Sequence, residues 1–133
     1  VKYLVRVDRK VTAMKALQGL IWEAGYKSGA LQSIVFDDVL PNFRRIVDEE
    51  NGKIAIYSSG SRQAQHLLFQ YSNVGDLRSY LTAYFDTKVG LKQETNSYLE
   101  IAQYLGVSDP SEVIFVTDVL GEAQAAHAAG FAV

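Results

Sequence analysis

From residue 53 onward, short apolar runs alternate with stretches of helical periodicity. A chain patterned in this way has few alternatives to a parallel sheet with helices packed around it. Lys53-Ile-Ala-Ile-Tyr-Ser-Ser-Gly-Ser61 is the stretch on which the rest is organised. Ile54 to Tyr57 make a continuous apolar segment suited to a strand buried on both faces. Polarity then changes abruptly at Ser58, and a helical pattern follows from Arg62. Ligands of parallel α/β sheets sit just beyond the carboxyl ends of the strands. Ser58, Ser59 and Gly60 would stand there, with hydroxyls and backbone N–H groups at a helix N-terminus that suit an anion such as phosphate. Ser59 or Ser61 would equally serve as an ordinary N-cap, and from this stretch alone capping is the simpler reading.

The later segments repeat the theme. Gln63 to Tyr71 is predicted helical, with Ala64, Leu67, Leu68 and Tyr71 facing inward. Leu77 to Tyr84 reads as a short helix and Phe85 to Thr87 as a short strand. Tyr98, Ile101, Ala102 and Leu105 define a further helix closed by Gly106. Lys92 falls just before its N-terminus, where a cation is disfavoured by a few tenths to ~1 kcal/mol. That breach of a local rule points to function, although a solvated loop lysine has the same sequence. Val113-Ile-Phe-Val116 is the strongest buried-strand signal, followed by Thr117-Asp118 and an alanine-rich helix from Glu122 to Ala129. A carboxylate at the end of a buried parallel strand suits a hard cation such as Mg²⁺, or the N-cap of the next helix. Neither His66 nor His127 has an evident partner motif.

Upstream, residues 1–10 are mixed apolar and basic. A helix is expected from about Arg9 to Ala24, ended by Gly25. Leu31, Ile34 and Val35 suggest a second helical piece. A third starts within Phe36 to Pro41 and stops at Asn51-Gly52; Asp37 and Asp38 look like an aspartate pair for a metal, but at a helix start the simpler reading is that they serve its cap and dipole.

The 133 residues suffice for one domain with a core. Thirteen basic and fifteen acidic residues give a net charge of −2, and no basic stripe marks a nucleic-acid surface. The lack of cysteine excludes disulfides, thiolate metal sites and a cysteine nucleophile, and fits a cytoplasmic location. No apolar run is long enough to span a membrane. The chain begins at Val1 without methionine and ends at Gly130-Phe-Ala-Val133, like a helix stop running into another strand. The expectation is an internal piece of a longer protein.

Ser58 and Ser59 after one strand, Lys92 before the next helix and Asp118 after a later strand all fall at one sheet edge. Together they supply hydroxyls, a phosphate-binding cation and a metal carboxylate, which is most of a phosphoryl-transfer site. Strand-Ser-Ser-Gly, a lysine opening a helix, and strand-Thr-Asp resemble the second, third and fourth motifs of the haloacid-dehalogenase superfamily of phosphatases. Asp8 to Gly19, Ile56-Tyr-Ser-Ser-Gly-Ser61 with Ala64-Gln65 and Leu67-Leu-Phe69, Phe85-Asp-Thr87 and Phe115-Val-Thr-Asp118 are more narrowly similar to enolase-phosphatase, also called acireductone synthase. The wording is especially similar to the plant-type form, in which this domain is fused behind a methylthioribulose-1-phosphate dehydratase.

The resemblance implies a three-layer, Rossmann-like parallel sheet with an α-helical cap, residues 1–40 belonging to the cap and 41–133 to a partial phosphatase core. It implies a Mg²⁺-dependent enzyme of methionine salvage. That enzyme enolises 2,3-diketo-5-methylthiopentyl 1-phosphate and then removes the phosphate to give an acireductone. Ser58 and Ser59 would bind the phosphate region, Lys92 would hold the phosphate and offset transition-state charge, and Asp118 would ligate Mg²⁺. Glu122 would orient Lys92 or the metal water. The expected partners are the small phosphorylated diketone, no nucleic acid and no membrane, with the chain a monomer or fused to the dehydratase. The superfamily's first motif, Asp-x-Asp or Asp-x-Glu before Gly-Thr, carries the nucleophile on the first core strand. It does not occur here: Asp8 runs into Arg-Lys-Val-Thr. The chain alone is therefore expected to lack activity. Another small-molecule phosphatase of the superfamily, or a non-catalytic binding relative, are the alternatives.

Overall fold

A computed structural model describes residues 12–133, with side chains from Leu17 onward. The segment 1–11, with Asp8 and the expected helix start near Arg9, lies outside the described residues. Contacts group the chain into two compact units. Among the described residues, one comprises 12–54 and 61–82, the other 55–60 and 83–133.

In the first unit, helix α1 (Thr12–Lys27) packs on α3 (Arg62–Gln70). At Gly19 a Cβ would lie 2.9 Å from Gln63 Oε1, the movable end of that side chain. α1 runs through Gly25 rather than ending there. Gly25 serves close packing against Leu31, whose Cδ1 a Cβ would meet at 2.6 Å, and the chain reverses at Gly29 (φ +75°). The helical piece expected around Leu31 to Val35 is extended instead. Ser33 N–H donates to the Tyr71 carbonyl, Ser33 O accepts from Asn73 N–H, and Val35 N–H donates to Asn73 Oδ1. These bonds to the loop after α3 replace the i→i+4 bonds a helix would need. Tyr26 stacks on Tyr71 at 5.5 Å and shares a 2.7 Å hydrogen bond with Ser33.

Helix α2 (Val39–Arg44) continues into a π-helical turn over Arg45–Glu49, and Asn51 (φ +52°) and Gly52 end it as expected. Asp38 stands at the N-cap position without a side-chain capping bond. In α3, Leu67 and Gln65 are buried but Leu68 is 40% exposed, so its inward face is narrower than the sequence suggests. Ser61 is the N-cap: its Oγ accepts from Ala64 N–H at 3.2 Å, a bond of a kind worth about 1 kcal/mol.

Strands β1 (Ile54–Tyr57) and β2 (Leu81–Phe85) form a two-stranded sheet. β2 starts earlier than expected, because only a 3₁₀ turn (Arg78–Tyr80) occupies the place of the predicted helix. Leu-Thr-Ala-Tyr-Phe has the β-branched and aromatic content of a strand, and Ser58 N–H extends the ladder to Phe85 O. β1 is only partly buried, with Ala55 exposed.

The core of the second unit is built on α4 (Thr95–Leu105) and α5 (Leu120–Ala128). Tyr98, Ile101 and Ala102 meet Ala125, Ala126, Ala129 and Phe131, with Tyr57, Phe85 and Phe115 against them. Gly106, in the left-handed region at φ +69°, closes α4. The 113–116 segment differs most from expectation. It pairs in parallel with the chain end, Phe115 N–H to Ala132 O and Ala132 N–H to Val113 O. Ile114 faces Ala132 in this bridge, but among the described residues the backbone groups of Ile114 and Val116 make no hydrogen bond, and the two are 71% and 87% exposed. A buried parallel strand needs a neighbour on both sides; this one has a neighbour on one.

Candidate active site

The loop between β2 and α4 delivers Lys92. Asp86 is buried and opens the loop, its Oδ1 accepting from Lys88 N–H and its carbonyl from Val89 N–H. Lys92 stands two residues before the α4 N-cap, Glu94, as the sequence predicted. Its Nζ lies 3.1 Å from Glu122 Oε2, with side-chain exposures of 27% and 12%, and 5.9 Å from the centre of the Tyr57 ring. Thr117 Oγ1 donates to the same Glu122 oxygen at 2.8 Å and accepts from Val119 N–H at 3.2 Å. The Thr117 hydroxyl is thereby fixed in direction. It supports a carboxylate that in turn supports the ammonium.

Lys92 thus bridges the ends of two elements. Tyr57 is the residue before Ser58, and Thr117 is the residue before Asp118. Ser58 Oγ accepts from Gly60 N–H at 3.1 Å, making a tight hydroxyl turn after β1. Ser59 is exposed. The capping role open to this stretch belongs to Ser61. Asp118 is also exposed and is not the cap of α5, whose N-cap residue is Val119. Among the described residues no hydrogen bond or ion pair joins Ser58, Ser59, Lys92 and Asp118 to one another. Nor do three or more His, Asp or Glu side chains gather as a metal cage. His127 is exposed in the last turn of α5.

The donor set fits Mg²⁺ as a partial site. Mg²⁺ is held by one or two carboxylates with water and substrate oxygens completing its shell. Asp118 offers one exposed carboxylate, whereas Glu122 is committed to Lys92 and Thr117.

Sequence reasoning passed over Thr117, Tyr57, Ser97 and Tyr98. The available signal was the Ser97-Tyr98 pair: two hydroxyl residues starting the buried face of a helix need partners. Burial pushes the Tyr57 hydroxyl above its ordinary value. It pushes Tyr98 up to about 12, with the Glu122 carboxylate adding to the effect. Folding therefore favours the protonated Tyr98. Its contribution to stability is complete below the ordinary value of 10.0 and is lost as pH rises towards about 12. Both phenols remain donors at neutral pH.

The family described as haloacid dehalogenase-like hydrolase matches residues 8–130 of this chain. The chain is 53% identical, over all 133 residues, to the probable bifunctional methylthioribulose-1-phosphate dehydratase/enolase-phosphatase E1 1 of Vitis vinifera, of which it covers 26%. It is 55% identical over 130 residues to enolase-phosphatase E1 of Drosophila persimilis, covering 98% of this chain and 51% of that one. Among solved structures, the UTR4 protein of Saccharomyces cerevisiae superposes with a TM-score of 0.87 at 38% identity, over 98% of this chain and 59% of that one. The chain therefore spans about half the length of the single-function relative and a quarter of the fused one. The α/β architecture expected from the sequence stands. Among the described residues no helix is long and apolar enough to cross a membrane.

Proposed function

As the chain belongs to the haloacid dehalogenase-like hydrolase family, we propose that it carries the phosphate- and metal-binding half of a phosphatase active site. The substrate class is a small phosphorylated diketone. The specific reaction is that of methionine salvage, enolisation and dephosphorylation of 2,3-diketo-5-methylthiopentyl 1-phosphate to an acireductone. The observation that carries the reading is Lys92, a cation set before a helix and held by Glu122 beside Thr117-Asp118. The relatives named enolase-phosphatase narrow the substrate.

In this reading Ser58 and Ser59 donate hydroxyl hydrogens to the phosphate oxygens. Lys92 pairs with the same group and offsets charge as the ester bond breaks. Asp118 supplies one oxygen ligand to Mg²⁺, which when bound neutralises further phosphate charge. Residues 1–40 belong to a helical cap that excludes water, and 41–133 to the core. The nucleophile belongs to an Asp-x-Asp or Asp-x-Glu followed by Gly-Thr, a combination this sequence does not contain: its one Asp-x-Glu, Asp48-Glu49-Glu50, runs into Asn51-Gly52. The open side of the 113–116 strand is consistent with a further core strand there. The bifunctional plant relatives favour a fused dehydratase as the covalent partner. A cytoplasmic location accords with the cysteine-free composition.

The test assays the intact protein and the isolated 133-residue chain with the diketo phosphate and with generic phosphoesters. The intact protein is expected to release phosphate in Mg²⁺ and to form an acireductone; the isolated chain is expected to do neither. Turnover by the isolated chain would contradict its incompleteness. Phosphate release without acireductone would move the protein to another phosphatase of the superfamily. Binding without turnover by the intact protein would make it a binding relative.

A further inference from the structure

The loop carrying Lys92 has an unusual attachment. Three consecutive backbone carbonyls each accept from a side-chain hydroxyl. Tyr57 donates to Gly90 O at 3.0 Å, Ser97 Oγ to Leu91 O at 2.8 Å and Tyr98 to Lys92 O at 2.5 Å. Two of these donors are almost inaccessible, with Ser97 2% and Tyr98 0% exposed. The Tyr98 ring is itself locked edge-on between Phe115 at 5.0 Å, Phe131 at 5.7 Å and Tyr57 at 5.7 Å. Gly90 adopts φ +133°, and a Cβ there would lie 2.1 Å from Ser97 Oγ. Glu94 Oε2 accepts from Leu91 N–H at 3.3 Å.

We propose that Tyr57, Ser97 and Tyr98 form a hydroxyl clamp that fixes the backbone of residues 90–92 and so aims the Lys92 ammonium. They are positioning residues, not groups that touch substrate. A lysine on a free loop spreads its ammonium over many rotamers and must be ordered when the anion binds. Here the backbone is pinned at three successive points, and the side chain is then guided along the Tyr57 ring to Glu122. Tyr57 acts twice, through its hydroxyl on Gly90 and its ring face under the ammonium. The ordering cost is met on folding and not on binding, which is preorganisation.

The inference rests on the reading of Lys92 as the phosphate-binding cation, so its test has a readout independent of turnover. In intact protein bearing ¹³Cε-lysine, the Lys92 signal is assigned by its loss in Lys92→Arg. In Tyr57→Phe and Tyr98→Phe, which keep the rings, that signal is expected to move towards those of exposed lysines, with the melting midpoint lowered by only the few degrees that one lost hydrogen bond costs. Ser97→Ala is the second route should a tyrosine variant fold poorly. An unmoved Lys92 signal in all three folded variants would overturn the clamp. In turnover, Tyr98→Phe is expected to lower kcat/KM by about tenfold or more, chiefly through KM. In a Lys92→Ala background it is expected to cost nothing further; an equal loss in both backgrounds would show that Tyr98 acts elsewhere. If the wild-type intact protein neither turns over the ester nor binds inorganic phosphate, the functional reading fails, and the lysine signal still decides the clamp.

Discussion

Replacing Lys92 with alanine in the intact protein is expected to lower kcat/KM for phosphate release by about 10²–10³-fold, the scale on which a preorganised charge acts in a water-excluded site. Steady-state phosphate release measures it, and retention within about threefold of wild type would remove Lys92 from the site. The effect has two physical parts. The phosphate loses a fixed positive charge. Glu122 also loses its counter-ion, and with 12% side-chain exposure its carboxylate keeps, among the described residues, only Thr117 as a partner. Glu122→Gln separates them. It leaves an ammonium at position 92 but takes away the carboxylate that draws it towards Thr117. The expected loss is smaller than that of Lys92→Ala. Equal losses would mean that the lysine works only as one half of the pair.

The largest expected effect on stability is at Tyr98. Tyr98→Ala removes a ring with no exposed surface from contact with Tyr57, Phe115 and Phe131. It also strands the Lys92 carbonyl. Cavities left by truncating buried aromatic residues cost about 3–5 kcal/mol, a large share of the 5–15 kcal/mol that holds an ordinary domain together. Denaturant unfolding of the intact protein is expected to show a midpoint far below wild type. Tyr98→Phe keeps the packing and loses one hydrogen bond, for about 1 kcal/mol. If the two variants unfold together, the ring is not the keystone of this core.

The contrast between these residues explains what the sequence made legible. Lys92 was visible because it violates a local electrostatic preference at the start of α4, and local violations can be read in one dimension. Ser58 was visible because polarity breaks sharply after Tyr57. The helix ends at Gly106 and Gly52 were visible because their neighbours interrupt a period. Gly25 deceived because a glycine that permits close approach and one that ends a helix look alike in sequence. Only Leu31 folding back against it distinguishes the two. The extended path around Ser33 was hidden because its bonding partners lie some forty residues away, at Tyr71 and Asn73. Val113 to Val116 has the composition of a central strand but not the surroundings of one. Apolar content records what a segment is suited to pack against, not what is beside it. Tyr98 reads as an ordinary helix position and Ser97 does not stand out, because their donors act on carbonyls, which carry no residue identity and so leave no mark in the sequence.

Gly90 and Ser97 constrain one another as a pair. A side chain at 90 meets the hydroxyl at 97, and a backbone at φ +133° strains any residue that has a Cβ. Shortening residue 97 to alanine removes the 2.1 Å clash but leaves its Cβ at 3.1 Å and the backbone strain, while releasing the Leu91 carbonyl. No single step away from this pair keeps both the loop's conformation and its anchoring. In terms of the paths open to a drifting sequence, positions 90 and 97 form a small trap: movement at either is penalised before movement at the other can compensate. A chain that escapes it must rebuild the whole turn before Lys92, by changing the loop's length or course instead of exchanging residues one at a time.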